Sequence, residues 1–276
     1  MEIARLSPKM PTSEAEIVRE IAQRGSALVA LSGGVDSSLV AAFAREALGP
    51  GSLAVTLSGP AVSSEEVERA RRVATAIGIE HLVVPVDPLA RTEYRANPAN
   101  RCFFCRSVES EVLLRLGREH GCRQYLDGIH RDDFAVDRPG TRAMDAAGFD
   151  HPLARAGWTK IEVRAAAHRR GLPNWDQPSD ACLASRIATG EPITLELLQR
   201  VEAGERWLLA RGFRRVRVRA RSGGARVEVD PDEVDRLAEP VLAAELEREL
   251  NALGFDPVTV DPRGYRSPTD RAGGSQ

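Results

Sequence analysis

Apolar residues along this chain fall into short unbroken runs and helical stripes, and the order in which the two alternate predicts a fold. Residues from Ser13 to Ile21 suit a short helix, and Ser26-Ala27-Leu28-Val29-Ala30-Leu31 is a buried strand bounded by glycines. After the Ser32-Gly33-Gly34 turn, apolar Leu39, Val40, Phe43, Ala44 and Ala47 recur at helical spacing until Gly49-Pro50 stops them. Leu53-Ala54-Val55-Thr56-Leu57 repeats the strand signal, Val67, Ala70, Val73, Ala74 and Ile77 mark the next helix, and His81-Leu82-Val83-Val84 is a third strand. Val112, Leu113, Leu114 and Leu116 support a further helix, and Gln124-Tyr125-Leu126 is a short strand ending at Asp127-Gly128. Strands alternating with helices predict an α/β fold with a doubly wound parallel sheet, whose ligands sit at the carboxyl ends of the strands. The segment Ser32 to Ser38 therefore lies at a ligand edge.

Downstream the pattern changes. From Arg131 to Trp158 the chain is rich in Asp, Arg, Gly and Pro with weak periodicity, which predicts a long functional loop. Ile161 to Arg170 is helical in pattern until Gly171-Leu172-Pro173 breaks it. From Thr194 come an amphipathic helix (Leu195, Leu197, Leu198, Val201, Leu208, Leu209), two strand-like alternations (Val216, Val218; Val227, Val229) and a helix near Leu242 to Leu253. The expected organisation is a first domain over 1–189, a second, smaller α+β domain over 190–262 and a frayed polar tail over 263–276.

Composition narrows the class. The chain has 276 residues, 42% hydrophobic and 28% charged, which excludes a disordered or collagen-like chain and suits one large or two unequal domains. No stretch approaches the roughly 18 unbroken apolar residues of a membrane helix. The net charge of −2 gives no global field to draw a polyanion, so a nucleic-acid role would need a local basic patch. Four cysteines are too few for a disulfide scaffold, and MEIARLSPKM lacks the apolar core of a signal peptide. The expected location is the cytoplasm, with reduced thiols.

The segment Leu31-Ser32-Gly33-Gly34-Val35-Asp36-Ser37-Ser38 is the most informative in the chain. Two glycines let the backbone turn sharply after a strand, the amides and the following helix N-terminus face an anion, and Ser32, Ser37 and Ser38 add hydroxyls. An ordinary strand-to-helix turn explains any one of these residues but not all six together. The segment is not a Walker A loop, because no Gly-Lys-Ser/Thr closes it. It resembles the SGGxDS signature of the PP-loop ATP pyrophosphatases, which cleave ATP between the α and β phosphates, pass AMP to a carboxylate or carbonyl oxygen and release pyrophosphate. The resemblance implies that Ser32, Gly33, Gly34, Asp36, Ser37 and Ser38 hold the pyrophosphate end of ATP with Mg²⁺, with Asp36 near the metal because a hard cation takes carboxylate oxygen. Ser58, Gly128, Asp132 and Lys160 are the further residues it implies at the ATP site. Asp36 also suits a helix N-terminus by complementing the dipole.

Cys102-Phe103-Phe104-Cys105 follows the Pro98-Ala99-Asn100-Arg101 turn, and Cys182 stands in Ser179-Asp180-Ala181-Cys182-Leu183-Ala184-Ser185-Arg186. A CxxC at the opening of a helix gathers two thiolates. The residues leave three readings open: a redox disulfide, a zinc site needing a fourth ligand from Cys122 or a histidine, and an iron–sulfur cluster held by three cysteines with one iron open. Cys122, in Gly121-Cys122-Arg123 before a strand, reads as a structural thiol.

His151-Pro152-Leu153, Lys160, Gly171-Leu172-Pro173-Asn174-Trp175-Asp176-Gln177-Pro178 and Ala181-Cys182-Leu183-Ala184-Ser185-Arg186-Ile187 resemble the ATP-dependent sacrificial sulfur transferases (LarE), from about Leu28 to Tyr265. The resemblance implies a small-molecule nucleotide substrate, the pyridinium biscarboxylic acid mononucleotide precursor of the nickel-pincer nucleotide. Its ring carboxylates would be adenylated by ATP and then attacked by sulfur, twice. In some members the cysteine matching Cys182 gives up its own sulfur and ends as dehydroalanine. Others carry the additional CxxC and hold a [4Fe–4S] cluster on three cysteines, which here would be Cys102, Cys105 and Cys182. Relatives assemble as oligomers, so a homo-oligomer is expected; the sulfur donor is not evident.

Seven arginines stand between Arg211 and Arg226, and in a strand Arg215, Arg217 and Arg219 share one face while Val216 and Val218 take the other. Such a row is either the solvated face of an edge strand or a set of guanidinium forks for phosphate. The family resemblance favours phosphate: Arg217 and Arg219, with Ser185 and Arg186, match positions that hold the substrate phosphate, and Glu205 and Glu228 match acidic residues nearby. One departure is Asp127-Gly128-Ile129-His130-Arg131-Asp132-Asp133, where relatives have Gly-Thr-Asn-x-Asp-Asp; Ile129 and His130 replace Thr-Asn, and His130 reads as a loop residue rather than a ligand. Two other functions remain in play, a tRNA thiolase, for which no RNA-binding appendage is evident beyond the arginine stripe, and a nucleotide-binding regulator without catalysis.

Overall fold

The computed structural model describes residues 12–134, 138–178 and 181–266. Its elements run α1 (Glu14–Arg24), β1 (Ala27–Ala30), α2 (Val35–Leu48), β2 (Ser52–Ser58), α3 (Ser64–Ile77), β3 (Glu80–Pro85), α4 (Thr92–Arg95), α5 (Arg101–Glu119), β4 (Gln124–Leu126), α6 (Pro139–Ala146), α7 (Pro152–Arg155), α8 (Lys160–Arg169), α9 (Leu195–Leu209), β5 (Arg217–Arg221), β6 (Gly224–Glu228), α10 (Val234–Leu237), α11 (Pro240–Ala252) and β7 (Val258–Val260). The described chain divides into two compact units, 12–91 with 100–178, and 92–99 with 181–266. The segment MEIARLSPKM and residues 267–276 of the expected tail lie outside the described residues.

In the first unit the strands pair in the order β3-β2-β1-β4, all parallel, as the alternating pattern predicts for an α/β protein. Alternate residues of β1 enter opposite faces. Ala27, Val29 and Leu31 pack with Ile17, Phe43 and Val163 from α1, α2 and α8, whereas Leu28 packs with Leu53, Leu113, Met144 and Phe149. A strand covered on both faces reads as the unbroken apolar run seen in the sequence.

The region from Arg131 to Trp158 corrects the expectation of a long loop. It holds a 3-10 turn at Arg131–Phe134 and the helices α6 and α7, of eight and four residues. Helices this short complete too few turns to display a period, yet each is set by proline in its first turn, and α6 buries Thr141, Ala143 and Met144.

In the second unit β5 and β6 pair antiparallel and β6 and β7 parallel. The strand β7 is not predicted from the sequence; it forms by pairing Val258, Thr259 and Val260 with Ala225, Arg226 and Val227 of β6. Leu198, Val201, Leu208, Val218, Val227, Leu246 and Leu250 make its core. The segment 92–99 belongs here through Ile193 N donating to Arg95 O (2.8 Å) and Asn97 Nδ2 donating to Ala188 O (2.9 Å).

One close approach in the first unit is testable. A Cβ on Gly117 of α5 would lie 2.2 Å from Tyr125 Cε1, and the Tyr125 ring is confined by Phe149 at 5.7 Å. Alanine gains about 1 kcal/mol of helix propensity over glycine, but overpacking of this kind costs about 1–3 kcal/mol. Gly117→Ala is expected to lower the urea midpoint of unfolding at unchanged slope.

Candidate functional site

The loop between β1 and α2 is shaped by hydrogen bonds among its own hydroxyls. Ser37 Oγ donates to Gly34 O (3.1 Å), Ser38 Oγ donates to the same carbonyl (2.8 Å), and Ser32 N donates to Ser37 Oγ (3.2 Å). Gly34 is the N-cap of α2, so the helix opens directly onto the loop. Gly33 has φ +77°, and a Cβ there would press on the α3 backbone, 3.0 Å from both Ala70 N and Glu66 O. Its carbonyl accepts from Asn174 Nδ2 (2.8 Å) and Arg69 Nε (3.2 Å). Asn174 Nδ2 also lies 2.9 Å from Ser38 Oγ, which ties the Gly-Leu-Pro-Asn turn to the loop.

Asp36, in the first turn of α2, meets Lys160 Nζ through both oxygens, at 2.7 and 2.5 Å. Lys160 opens α8, and its backbone N–H donates to Asp132 Oδ2 (2.9 Å). Next to it the Glu162 carboxylate accepts from Thr159 N and Thr159 Oγ1, which hold its pKa below the ordinary carboxylate value. His130 is buried, with Nε2 3.9 Å from Asp36 Oδ1 and 3.6 Å from Asp133 Oδ2, and its Nδ1 is buried without a hydrogen-bond partner. His130 stands in the loop after β4, as the sequence predicts, and is buried there beside Asp36. Gly128, after β4, lies so close to α2 that a Cβ would stand 2.4 Å from Ser37 N.

The first unit thus gathers Ser32, Gly33, Gly34, Asp36, Ser37, Ser38, Gly128, Asp132 and Lys160 around the carboxyl ends of β1 and β4. Ser58 ends β2, where its carbonyl accepts from Val86 N (2.8 Å). Sequence reasoning missed Asn174 and Arg69 as loop-holding residues. Arg69 lies inside the amphipathic pattern of α3 and Asn174 follows a helix breaker, so neither had a local signal.

The family described as NAD synthase matches residues 13–103, which cover the loop and its flanking strands. An uncharacterized protein of Synechocystis sp. is 41% identical over 241 residues, 87% of this chain and 90% of that one. The pyridinium-3,5-bisthiocarboxylic acid mononucleotide synthase of Lactiplantibacillus plantarum is 30% identical over 259 residues, 94% of this chain and 93% of that one. This chain belongs to the family of that synthase. A tRNA-specific 2-thiouridylase of Rhizobium rhizogenes is 29% identical over 187 residues, but over only 52% of this chain and 47% of its own. The family places the chain among ATP-using enzymes of PP-loop fold.

The residues that the family resemblance singled out outside the ATP loop are divided between the units. Cys102 and Cys105 stand in the first turns of α5, Cys102 exposed and Cys105 Sγ 3.2 Å from Glu109 Oε1. Cys182 opens the second unit as N-cap of a 3-10 turn, Leu183–Arg186. Among the described residues neither unit by itself brings together three His, Cys, Asp or Glu side chains that could hold a metal ion. In the first unit Cys102 and Cys105 are two thiols about one helical turn apart near the start of α5, fewer than the three a cluster would need there. Mg²⁺ takes one or two carboxylates and completes its shell with phosphate and water; the carboxylate at this loop is Asp36, and both of its oxygens are paired with Lys160 Nζ. Cys122 packs half-buried against the Leu28 and Leu113 cluster, where burial first and Glu80 second push its thiol pKa up.

In the second unit, Arg186 is 3% exposed and forks onto Glu205, with Nε to Oε1 at 2.8 Å and Nη2 to Oε2 at 3.0 Å. Its Nη1 donates to Cys182 O (3.1 Å), Ser185 Oγ (3.1 Å) and Ala181 O. Glu205 Oε1 also accepts from Val218 N (3.0 Å), so the carboxylate fastens the Cys182 turn to β5. Arg219 Nη2 meets Glu228 Oε2 at 3.0 Å and its Nη1 donates to Ser185 O (3.0 Å), while Arg217 is buried with its guanidinium 5.2 Å from the Tyr265 ring. Ser179 and Asp180 lie outside the described residues.

Two substitutions test these constraints. Gly128→Ala sets a Cβ against the Ser37 backbone, which overpacking of about 1–3 kcal/mol makes roughly a tenfold loss of affinity for an uncleavable ATP analogue by calorimetry. Glu205→Ala leaves the buried Arg186 charge uncompensated and should lower the unfolding free energy by about 3–5 kcal/mol in urea titration, with Glu205→Gln losing less.

Proposed function

We propose that the protein is an ATP-dependent sulfur transferase that converts the carboxylates of pyridinium-3,5-biscarboxylic acid mononucleotide to thiocarboxylates. The observation that carries this reading is the similarity to the Lactiplantibacillus plantarum synthase along almost the whole of both chains. The loop geometry supports it, because amides and hydroxyls at a helix N-terminus suit the pyrophosphate that leaves.

A substrate carboxylate oxygen attacks the α-phosphorus of ATP, the bond from that phosphorus to the α,β-bridging oxygen breaks, and pyrophosphate departs with the electron pair. Ser32, Ser37, Ser38 and the Gly33-Gly34 backbone hold the departing group beside the Lys160–Asp36 pair; Mg²⁺, when bound, would be held by Asp36 on exchange of that pair, freeing Lys160 for the phosphates, and would supply charge to the leaving pyrophosphate. In the acyl adenylate the carboxylate oxygen has become a good leaving group. A sulfur nucleophile attacks the acyl carbon and AMP leaves with the oxygen. Arg217 and Arg219, with Ser185 and Arg186, are the residues proposed for the substrate phosphate; Arg186 acts from its clamp on the Cys182 turn, and Glu205 and Glu228 position the guanidinium groups.

Cys182 is the sulfur-handling residue. With Cys102 and Cys105 it would hold a [4Fe–4S] cluster, which when bound supplies the sulfur and spares the protein's own thiol. The alternative is sacrificial: the Cys182 thiolate attacks, its α-proton is lost, the Cβ–S bond breaks and dehydroalanine remains.

Mass spectrometry of product and protein after turnover with ATP and the biscarboxylate separates these outcomes. Pyrophosphate release with sulfur in the product, an unchanged protein mass and a brown colour after anaerobic purification that is lost in Cys102→Ala are expected. Loss of the elements of H₂S at Cys182 would replace the cluster by the sacrificial route. No pyrophosphate with the pyridinium substrate, together with tight salt-sensitive tRNA binding on filters, would move the assignment to tRNA thiolation.

A further inference from the structure

His151 lies buried in the first unit between two carboxylates from different elements. Its Nδ1 is 2.7 Å from Asp127 Oδ1, at the end of β4, and its Nε2 is 2.8 Å from Asp145 Oδ1, on α6. A neutral imidazole donates from one nitrogen only, so it turns a lone pair toward one of these carboxylates; an imidazolium donates to both. Asp127 is itself 6% exposed, its Oδ1 accepts from Ile129 N (3.0 Å), and its Oδ2 is buried without a hydrogen-bond partner. The next residue is Gly128, seated on the Asp36–Ser37 backbone.

Resting on the reading of that loop as the ATP site, we propose that His151 is a positioning residue that works as an imidazolium: clamped between Asp127 and Asp145, it holds the Asp127-Gly128 turn against the phosphate loop, and losing its proton loosens nucleotide binding. The other charged groups around it are Arg131, Asp150 and Arg155, which line the same cavity of about 440 Å³, and Arg106 of α5, within electrostatic reach of Asp127. Burial by itself pushes the His151 pKa down, but the hydrogen bonds and charges of Asp127 and then Asp145 outweigh it, and the net shift is upward. A raised folded pKa means the stabilisation is complete below the ordinary histidine pKa and is lost as pH rises through the folded one.

The test uses the full chain, magnesium and an ATP analogue with a methylene between the α and β phosphates, titrated calorimetrically from about pH 6 to about pH 9. Affinity should fall about five- to tenfold as pH rises, and Asp145→Asn, which removes one of the two carboxylates, should move that fall roughly one pH unit lower. His151→Gln should bind weakly at every pH and lose the step. Carbon and proton shifts of the His151 ring, followed in the same pH series without nucleotide, should titrate with the same midpoint and move in Asp145→Asn. A ring that titrates at or below the ordinary histidine value, or an affinity step unmoved by Asp145→Asn, overturns the proposal. Neither readout involves sulfur transfer, so absence of a thiolated product would fail the functional assignment while leaving this result standing.

Discussion

Lys160 holds both oxygens of Asp36, and the charge at the loop between β1 and α2 is set by that contact. A carboxylate in the first turn of α2 complements the helix dipole but also places negative charge where an anion is to bind. Two like charges about 4 Å apart repel by about 4 kcal/mol at the effective dielectric of a protein surface, enough to cancel the attraction of a helix N-terminus. With Lys160 paired to it, Asp36 no longer opposes a phosphate, and the amides and hydroxyls set the sign of the site. Lys160 can do this because Asp132 accepts from its backbone N–H, fixing where α8 begins. Asn174 extends the same fastening from beyond α8, through Gly33 O and Ser38 Oγ.

Much of this was legible in the sequence, and the parts that were not have physical reasons. Central strands such as Ala27–Ala30 and long helices such as Leu195–Leu209 announce themselves, because burial on two faces or one stripe repeats over enough residues to leave a period. The glycine and serine loop was legible because its chemistry is local. Lys160 entered only through the family resemblance, as an ATP-site residue, and its contact with Asp36 has no signal in the sequence, since 124 residues separate the partners and no spacing rule links them. Asn174 and Arg69 meet the Gly33 carbonyl, Asn174 also the Ser38 hydroxyl, and His151 two carboxylates, all from other elements of the fold. Gly128 was singled out in the sequence, but the reason for a glycine there is a steric limit of 2.4 Å set by α2. Short elements such as Pro139–Ala146 and Val258–Val260 stayed hidden because they are stabilised by tertiary neighbours rather than by pattern.

The arginines of the second unit bear on the choice between a small substrate and a polyanion. Read from the sequence, seven arginines between 211 and 226 look like a basic patch. In the structure most face a carboxylate: Arg219 and Arg226 share Glu228, Arg215 faces Asp230, Arg214 faces Asp232 and Arg211 faces Glu245. Binding a long polyanion draws its affinity from many phosphates neutralised at once, each releasing counterions. Arginines already balanced by acidic partners contribute little to that sum, because each phosphate contact must first compete with an existing ion pair. A single phosphate makes a smaller demand. It needs one or two guanidinium groups held in fixed orientation, and a buried carboxylate such as Glu228, 1% exposed, supplies orientation at the expense of net charge. The compensated stripe therefore suits recognition of one phosphorylated small molecule better than attraction of a nucleic acid, and it does so within a chain whose overall charge is close to neutral.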